Sequence, residues 1–211
     1  MPRTIVTNAR KTPRQERSRE MVAAILDATA RILVKHGYAR MTTNSVAEKA
    51  GISVGSLYQY FPSRDALVAA VARRHSEKVK IALEDLLAET KTDDLETGLT
   101  RMVRGIAEIH AADPVLSRIL ASEVPRLGPM DWRNDIANRG FGIARAVLAS
   151  HTTELRAGLD HNVTAFIMAK STEAIMTSLT ERGRPTNAGA VEASLVRMLF
   201  LLLKEPSRVR A

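Results

Sequence analysis

A short segment of this 211-residue chain matches the pattern of a hydrolase nucleophile elbow. The segment is Gly51-Ile52-Ser53-Val54-Gly55, in which Ser53 takes the place of the attacking serine. An elbow of this kind requires a buried strand before the serine and an α/β sheet around the strained turn. The preceding residues 44–50, NSVAEKA, instead have the spacing and composition of a helix. We therefore expect that the chain is not an enzyme, with catalysis at Ser53 kept as an alternative.

The same residues fit a helix-turn-helix. Ala47 is small where two helices must approach each other, and Gly51 can take a positive φ in the turn four residues later. Ser53 is then an N-cap, whose hydroxyl accepts a hydrogen bond from a backbone N–H at the start of the second helix. Five apolar residues are spaced to form the small core beneath: Val46, Ala50, Ile52, Leu57 and Phe61.

The outer face of the second helix carries a mixture of small, apolar and hydrogen-bonding groups. Its members are Val54, Gly55, Ser56, Tyr58, Gln59 and Tyr60. Such side chains are suited to contact with base edges and phosphates. The motif therefore predicts a surface that binds nucleic acid.

Positive charge is concentrated in the first third of the chain. Residues 1–75 hold 13 lysines and arginines against 5 aspartates and glutamates, and the remainder holds 18 of each, so the whole excess of +8 lies in that third. Such asymmetry indicates contact with a polyanion, either nucleic acid or an anionic membrane surface. A solvated basic surface is the alternative that charge alone leaves open.

Helical periodicity is the regular signal along the chain, and we predict an all-α fold of about nine helices. The predicted helices span about 14–35, 43–50, 54–60, 64–87, 94–111, 113–123, 132–156, 160–182 and 188–204. Gly37 is expected to end the first of them, and Ser63 to cap the fourth. The predicted domains are a basic flexible arm at 1–13, a three-helix domain with the helix-turn-helix at 14–63, a connecting helix at 64–91, and a larger C-terminal domain at 92–211.

Composition limits the location and the cofactors. No apolar run approaches the roughly 18 residues that span a bilayer, and no apolar stretch follows the basic N-terminus as in a secretory signal. The chain has no cysteine, which excludes disulfides and thiolate zinc sites, and its five histidines show no metal-ligand spacing. We therefore expect a cytoplasmic protein without metal or cofactor.

Residues 42–67, TTNSVAEKAGISVGSLYQYFPSRDAL, closely resemble the DNA-binding domain of the tetracycline-repressor (TetR) family of bacterial regulators. With the preceding helix ending in Gly37-Tyr38, the similarity covers residues 15–70. Beyond it, only the order and lengths of the helices are similar. The resemblance implies an all-helical homodimer whose C-terminal domain usually binds a small effector that releases the DNA.

The resemblance also implies roles within the motif. Thr43 would cap the first helix of the motif and meet a phosphate. The second helix would bring Val54, Gly55, Ser56 and Gln59 to the bases, with Ser53 beside them at its start. Gln59 would pair with adenine and Val54 would touch a thymine methyl, although many family members carry lysine at the position of Val54.

Three further groups would contact the phosphate backbone by resemblance. Tyr58 and Tyr60 correspond to phosphate-contacting aromatics of the family, and packing on the small core is the alternative for either ring. Arg64, at the start of the fourth helix, would contact the backbone with help from the helix dipole, and a solvated arginine is its alternative. The N-terminal arm would follow phosphates or the minor groove, or remain a disordered tail. Its basic residues are Arg3, Arg10, Lys11, Arg14, Arg17 and Arg19.

In the C-terminal part, two sets of residues have expected roles. By resemblance, the last two helices form a four-helix interface with their symmetry mates, a monomeric core being the alternative. The expected interface residues are Phe166, Ile167, Ile175, Leu179, Leu195, Met198, Leu199 and Leu202. An effector pocket would lie among the central helices, where plain core is the alternative for each residue. Its candidate lining is Met102, Ile106, His110, Leu116, Leu120, Trp132 and Phe141.

Together these observations favour a dimeric regulator that binds a near-palindromic operator in double-stranded DNA and is released by a small-molecule effector. Repression is favoured over activation, and a regulator without an effector stays open. The rival classes are a helical hydrolase that uses Ser53 and a basic helical module that docks on RNA or anionic membrane.

Overall fold

The computed structural model describes the backbone of residues 16–123, 127, 131–181 and 186–204. The side chains of residues 121, 131–137, 180 and 181 lie outside the described part. Within the described residues the regular structure is entirely helical, as predicted. The helices are α1 Glu16–Arg40, α2 Thr43–Ala50, α3 Val54–Tyr60, α4 Arg64–Thr90, α5 Leu95–Ala112, α6 Pro114–Glu123, α7 Asp131–Ser150, α8 His161–Glu181 and α9 Ala188–Leu203.

Gly37 interrupts the first helix, as its sequence position predicts. Its φ of 71° and ψ of 172° fall in a region that is essentially restricted to glycine. The helical path from Glu16 therefore ends there, and residues 38–40 form a further turn that α1 includes. The chain then enters α2 after Met41, whose side chain is fully buried.

The described residues belong to two compact units. The first contains residues 16–77, 115–123 and 127, and the second contains residues 78–114, 131–181 and 186–204. In this division α4 contributes to both units, and α6 from Val115 onwards belongs to the first. In that unit the Ser117 hydroxyl of α6 lies 3.1 Å from His75 Nε2 of α4.

The core of the first unit is built from the apolar stripes of its helices. Val46, Leu57 and Leu67 are completely buried, and Phe61 is 2% exposed. On α1 the buried set recurs at helical spacing and consists of Ile25, Leu26, Ala28, Thr29, Ile32 and Leu33. Burial of one such large apolar side chain stabilises the fold by about 2 kcal/mol.

The second unit packs α7 against α8, and α5 against both α8 and α9. Its core includes Leu95, Leu99, Leu148, Met176 and Leu203. Gly105 of α5 lets the helix approach α4 closely, since a Cβ there would lie 2.6 Å from Leu86 Cδ2. None of the described helices is long and apolar enough to cross a membrane.

The predicted end of α7 at residue 156 is wrong, since the helix stops at Ser150. The next residue, His151, is 6% exposed and turns its ring back onto the protein. Its Nδ1 lies 2.9 Å from the carbonyl oxygen of Val147, and its Nε2 lies 3.0 Å from that of Asp93. Gly158, with φ 77°, follows in the turn towards α8. These contacts redirect the chain where helical spacing alone predicts continuation.

Substitution of two nearby glycines tests the turn between α2 and α3. Gly51 has φ 69° and ψ 31°, whereas Gly55 lies inside α3. A Cβ at Gly51 meets nothing within 4 Å, and one at Gly55 would lie 3.8 Å from Ser53 Oγ, so neither substitution causes a clash. Gly51→Ala should lower the free energy of unfolding by about 1–2 kcal/mol because of its left-handed backbone. Gly55→Ala should raise it by about 0.5–1 kcal/mol.

Urea unfolding of the two variants and the unmodified protein, at one protein concentration, measures these shifts. Equal stability of Gly51→Ala and the unmodified protein would contradict the left-handed turn.

Candidate nucleic-acid interface

The first helix of the motif begins one residue earlier than its predicted cap. Thr42, with φ −125° and ψ 156°, is the N-cap of α2, so the prediction that Thr43 caps this helix is wrong. The Ser45 N–H donates to Thr42 Oγ1 at 3.1 Å, and the Thr42 N–H donates to Ser45 Oγ at 3.2 Å. This reciprocal pair is a capping box in which Ser45 replaces the usual Glu or Gln. Thr43 is therefore the first residue of the helix, and its side chain takes no part in the cap.

The turn between α2 and α3 has the predicted conformation. Gly51 is left-handed, and its N–H donates to the Glu48 carbonyl at 3.1 Å. The Ile52 N–H donates to the Ala47 carbonyl at 3.0 Å, which satisfies a second carbonyl at the end of α2. Ala47 is completely buried, as the close approach of the two helices requires. Of the five predicted core residues, Ala50 and Ile52 are only half-buried.

Ser53 is the N-cap of α3, which confirms the structural interpretation of the elbow-like pattern. Its Oγ accepts the Ser56 N–H at 3.0 Å and lies 2.8 Å from Ser56 Oγ. The residues before it form α2 and a turn, not the strand that a nucleophile elbow requires. The serine hydroxyl therefore stabilises the start of the helix that carries the candidate interface.

The exposed face of α3 contains most of the predicted contact residues. Val54 is 36% exposed and Tyr58 is 39% exposed, with Gly55 and Gln59 also exposed and Ser56 half-buried. The prediction that Tyr60 lies on this face is wrong, since the residue is 7% exposed. Tyr60 follows Leu57 by three residues, and that spacing places both on the buried side of the helix. For Tyr60 the alternative of core packing is the one observed.

A contact between hydroxyl groups joins α2 to α3 on this surface. Thr43 Oγ1 and the Tyr58 phenolic oxygen lie 3.0 Å apart, and both residues belong to the predicted phosphate-contacting set. The sequence predicts a role for each residue separately but does not predict their contact. The 15-residue separation gives no local signal for it, since only the angle between the helices brings the two groups together.

Arg64 stands at the start of α4, where Ser63 forms the predicted cap by accepting the Ala66 N–H at 3.1 Å. The alternative of a freely solvated arginine is wrong, because the guanidinium lies over the Tyr38 ring, 4.1 Å from its centroid. Its Nη1 also donates to the carbonyl oxygens of Tyr38 and Met41, at 3.5 and 3.4 Å. The side chain is half-buried against the segment that precedes α2.

Asp65, which follows Arg64 on α4, also contacts Tyr38. The Tyr38 hydroxyl donates a hydrogen bond to the Asp65 carboxylate. Burial raises the pKa of the Tyr38 phenol above its usual value, the Asp65 carboxylate raises it further, and Arg64 opposes part of the rise. The phenol therefore stays protonated at neutral pH and remains a donor to Asp65.

The exposed face of α3 has no positive charge of its own. The helix sequence VGSLYQY has no ionisable side chain apart from its tyrosines. Arg40 and Lys49 are exposed at the ends of α1 and α2, and Arg17 and Arg19 lie in the first turns of α1. The other basic residues of the predicted arm, Arg3, Arg10, Lys11 and Arg14, lie outside the described residues. The face of α3 thus offers hydrogen bonds and apolar contact, while cations stand on neighbouring segments.

The predicted effector-pocket residues are distributed over both units. Met102 is 5% exposed in the core of the second unit, with Ile106 and Phe141 packed at the margin of that core. His110 is half-buried in the same unit. Leu116, half-buried, and Leu120, 6% exposed, belong to the first unit. The side chain of Trp132 lies outside the described part, and the pocket stays a prediction.

The predicted dimer residues fall into three groups. Leu195 and Leu199 are 2% and 3% exposed within the core of their own unit, so the prediction that they meet a partner is wrong. Their four-residue spacing on α9 places them on the face that packs against α5. Phe166, Ile167 and Met198 are exposed, by 57%, 43% and 44%. The remaining three, Ile175, Leu179 and Leu202, are half-buried.

Two family models match the chain, one in its N-terminal part and one in its C-terminal part. The model of bacterial regulatory proteins of the tetR family matches residues 25–71, which contain α2, α3 and the start of α4. The model of the tetracyclin repressor-like C-terminal domain matches residues 94–203, which is more than half of the chain.

Relatives and solved structures agree with these matches. The transcriptional repressor KstR of Mycolicibacterium smegmatis is 42% identical over 64 residues, which are 30% of this chain and 31% of that protein. KstR of Rhodococcus jostii is 27% identical over 135 residues, which are 62% of this chain and 61% of that protein. The chain thus spans less than two thirds of either relative.

A crystal structure of a putative tetR-family regulator from Mesorhizobium loti has the same fold, with a TM-score of 0.70 and 20% identity. It covers 89% of this chain and 98% of its own. From the two family matches and the helix-turn-helix geometry, we conclude that the chain belongs to the tetR family of bacterial regulatory proteins.

Proposed function

We propose that the protein is a sequence-specific DNA-binding regulator that represses transcription. The observation that carries the proposal is the exposed, uncharged face of α3, held by a buried core and capped by Ser53. Such a helix can enter the major groove with its N-terminal residues on base edges. The KstR relatives, which match 30% and 62% of the chain, are named transcriptional repressors. Activation is the alternative, because the same surface serves either outcome.

The contacts divide into base recognition and positioning. Gln59 can donate and accept at once, which suits the bidentate pairing with adenine. Val54 offers apolar contact for a thymine methyl, and Gly55 allows the backbone to approach closely. While the hydroxyls of Thr43 and Tyr58 are hydrogen-bonded to each other, one of them keeps a free O–H that can donate to a phosphate oxygen. Tyr60 has no place in this set because it is buried.

The second unit offers an apolar surface for a second copy of the chain. On α8, Val163, Phe166 and Ile167 recur at helical spacing and are 55%, 57% and 43% exposed. On α9, Met198 and Leu201 are 44% and 55% exposed, and Leu201 was not predicted from the sequence. Large exposed apolar side chains on contacting helices are typical of protein interfaces. An isologous homodimer through this surface would present two copies of α3 to a near-palindromic operator.

Release by a small-molecule effector completes the proposed mechanism. An effector that binds more tightly to a conformation with the two α3 helices wrongly spaced would lower DNA affinity by that difference. The match of residues 94–203 to the tetracyclin repressor-like C-terminal domain supports a ligand-binding role for the second unit. A regulator without an effector is the alternative.

Selection of bound duplexes from a random DNA library tests the proposed function. We expect a near-palindromic sequence to be enriched and to bind at least about a thousandfold more tightly than a scrambled control. Anisotropy titrations of both duplexes at several salt concentrations measure the ratio. Absence of enrichment, with affinity that depends only on salt, would contradict the proposal, as would preference for RNA or anionic vesicles over every duplex.

Gln59→Ala should remove recognition at one base position. The affinity for the selected duplex should fall by about 1–3 kcal/mol, and the variant should tolerate any base pair at that position. Titration against duplexes substituted at each position in turn measures this effect. Thr100→Ala, which changes an exposed hydroxyl on α5 in the other unit, is the control that should bind as the unmodified protein does. Equal loss of affinity for all duplexes would contradict base recognition by Gln59.

Three substitutions at Ser53 separate capping from DNA contact. Ser53→Ala removes the acceptor for the Ser56 N–H and should lower the free energy of unfolding by about 1 kcal/mol. Ser53→Asn and Ser53→Asp keep an acceptor and should preserve stability. Only Ser53→Asp should sharply weaken DNA binding, because it brings a carboxylate near the phosphates. Urea unfolding and anisotropy titration give the two readouts, and equal DNA affinity of the Asn and Asp variants would contradict proximity to DNA.

A further inference from the structure

The segment from Gly37 to Met41, which we call the connector, determines where α2 begins. The positive φ of Gly37 starts it, and the Met41 N–H donates to the Tyr38 carbonyl at 3.2 Å within it. The fully buried Met41 side chain anchors its end. Thr42 follows directly and caps α2, so any displacement of the connector moves the first turn of that helix.

The first two residues of α4 hold the connector on different sides. Arg64 covers one face of the Tyr38 ring at 4.1 Å, and Asp65 accepts a hydrogen bond from the Tyr38 hydroxyl. The Arg64 guanidinium also donates to the carbonyl oxygens at both ends of the Tyr38–Met41 turn. The Tyr38 carbonyl thus accepts from both Arg64 and the Met41 N–H, at the end of α1 where a cation is electrostatically favoured.

We propose that Arg64 is a positioning residue of the interface and not a phosphate contact. It fixes the connector through Tyr38 and the two carbonyls, the connector fixes the first turn of α2, and the contact between Thr43 and Tyr58 carries that placement to α3. The inference rests on the proposed function, because the placement matters for DNA only if α3 binds it. It deepens that function by separating the arginine that shapes the surface from the groups that touch DNA.

The chemistry of arginine distinguishes the two roles. A phosphate contact requires a positive charge, which lysine supplies as a point charge. The observed contacts require a planar group that stacks on a ring and donates sideways to two carbonyls at once, which an ammonium group on a flexible stem does not reproduce. Arg64→Lys therefore keeps the charge and removes the geometry.

The DNA-binding test uses Arg64→Lys, Arg64→Gln, Tyr38→Leu and the Arg64→Lys/Tyr38→Leu double variant with the selected duplex. We expect each single variant to bind about tenfold more weakly, as loss of a charge-assisted contact would cause, with the salt slope unchanged. The double variant should bind no more weakly than the singles, because both act through one contact. Normal affinity of Arg64→Lys, together with a salt slope reduced by about 0.9 in Arg64→Gln, would overturn the proposal in favour of a phosphate contact.

Hydrogen exchange measured without DNA tests the role of Arg64 independently of the proposed function. The N–H groups of Ser45 and Val46 donate to the side chain and the carbonyl of Thr42 in the first turn of α2, so their hydrogen exchange reports its order. Arg64→Lys and Tyr38→Leu should accelerate this exchange about tenfold.

Arg74→Lys is the matched control, because Arg74 also lies on α4 but pairs with Asp27 and the Ala23 carbonyl of α1. Unchanged exchange in Arg64→Lys, or equal acceleration in Arg74→Lys, would overturn the proposal. If the unmodified protein prefers no duplex, the proposed function fails while the exchange result still decides the role of Arg64.

Discussion

The close approach of α2 and α3 across the turn at Gly51 is the constraint on which the candidate interface depends. It requires a left-handed residue in the turn, a small residue at Ala47 and an apolar core under both helices, and all three are present. Once the angle between the helices is fixed, Thr43 meets Tyr58 although 15 residues separate them. The exposed face of α3 is therefore a product of packing beneath it, since a helix of seven residues has too few internal hydrogen bonds to persist alone.

The distribution of charge follows from the same constraint. A cation on the buried side of α3 would be costly, and its exposed side carries uncharged groups of the kind that can discriminate between bases. The basic residues stand on the neighbouring segments, and Arg64, at the start of α4, donates its hydrogen bonds to the connector. In the proposed function, long-range attraction to a polyanion and recognition of its sequence would thus belong to different parts of the first unit.

Features governed by local chemistry could be predicted from the sequence, and features governed by tertiary packing could not. Ser53, Gly51 and Ser63 were assigned correctly because caps and left-handed turns depend on the residue and its nearest neighbours. The predicted cap of α2 was one residue too late, at Thr43 instead of Thr42, because two adjacent threonines satisfy the same local rule. The burial of Tyr60 could have been predicted, because it follows the buried Leu57 by three residues on the same helix. Its polar hydroxyl favoured the exposed position instead. The partners of Arg64 lie more than 20 residues earlier in the chain, and no local pattern indicates them.

The last helix shows how one sequence pattern serves two surfaces. The apolar run from Met198 to Leu203 covers all sides of α9, so periodicity predicts burial without showing what buries it. In the structure Leu195, Leu199 and Leu203 recur every four residues and fill the core of their own unit. Met198 and Leu201 are left exposed on a helix whose inner face is already occupied, and α8 likewise leaves Phe166 exposed. Water is an unfavourable neighbour for such groups, and a second copy of the chain would both remove them from it and relate two α3 helices by symmetry.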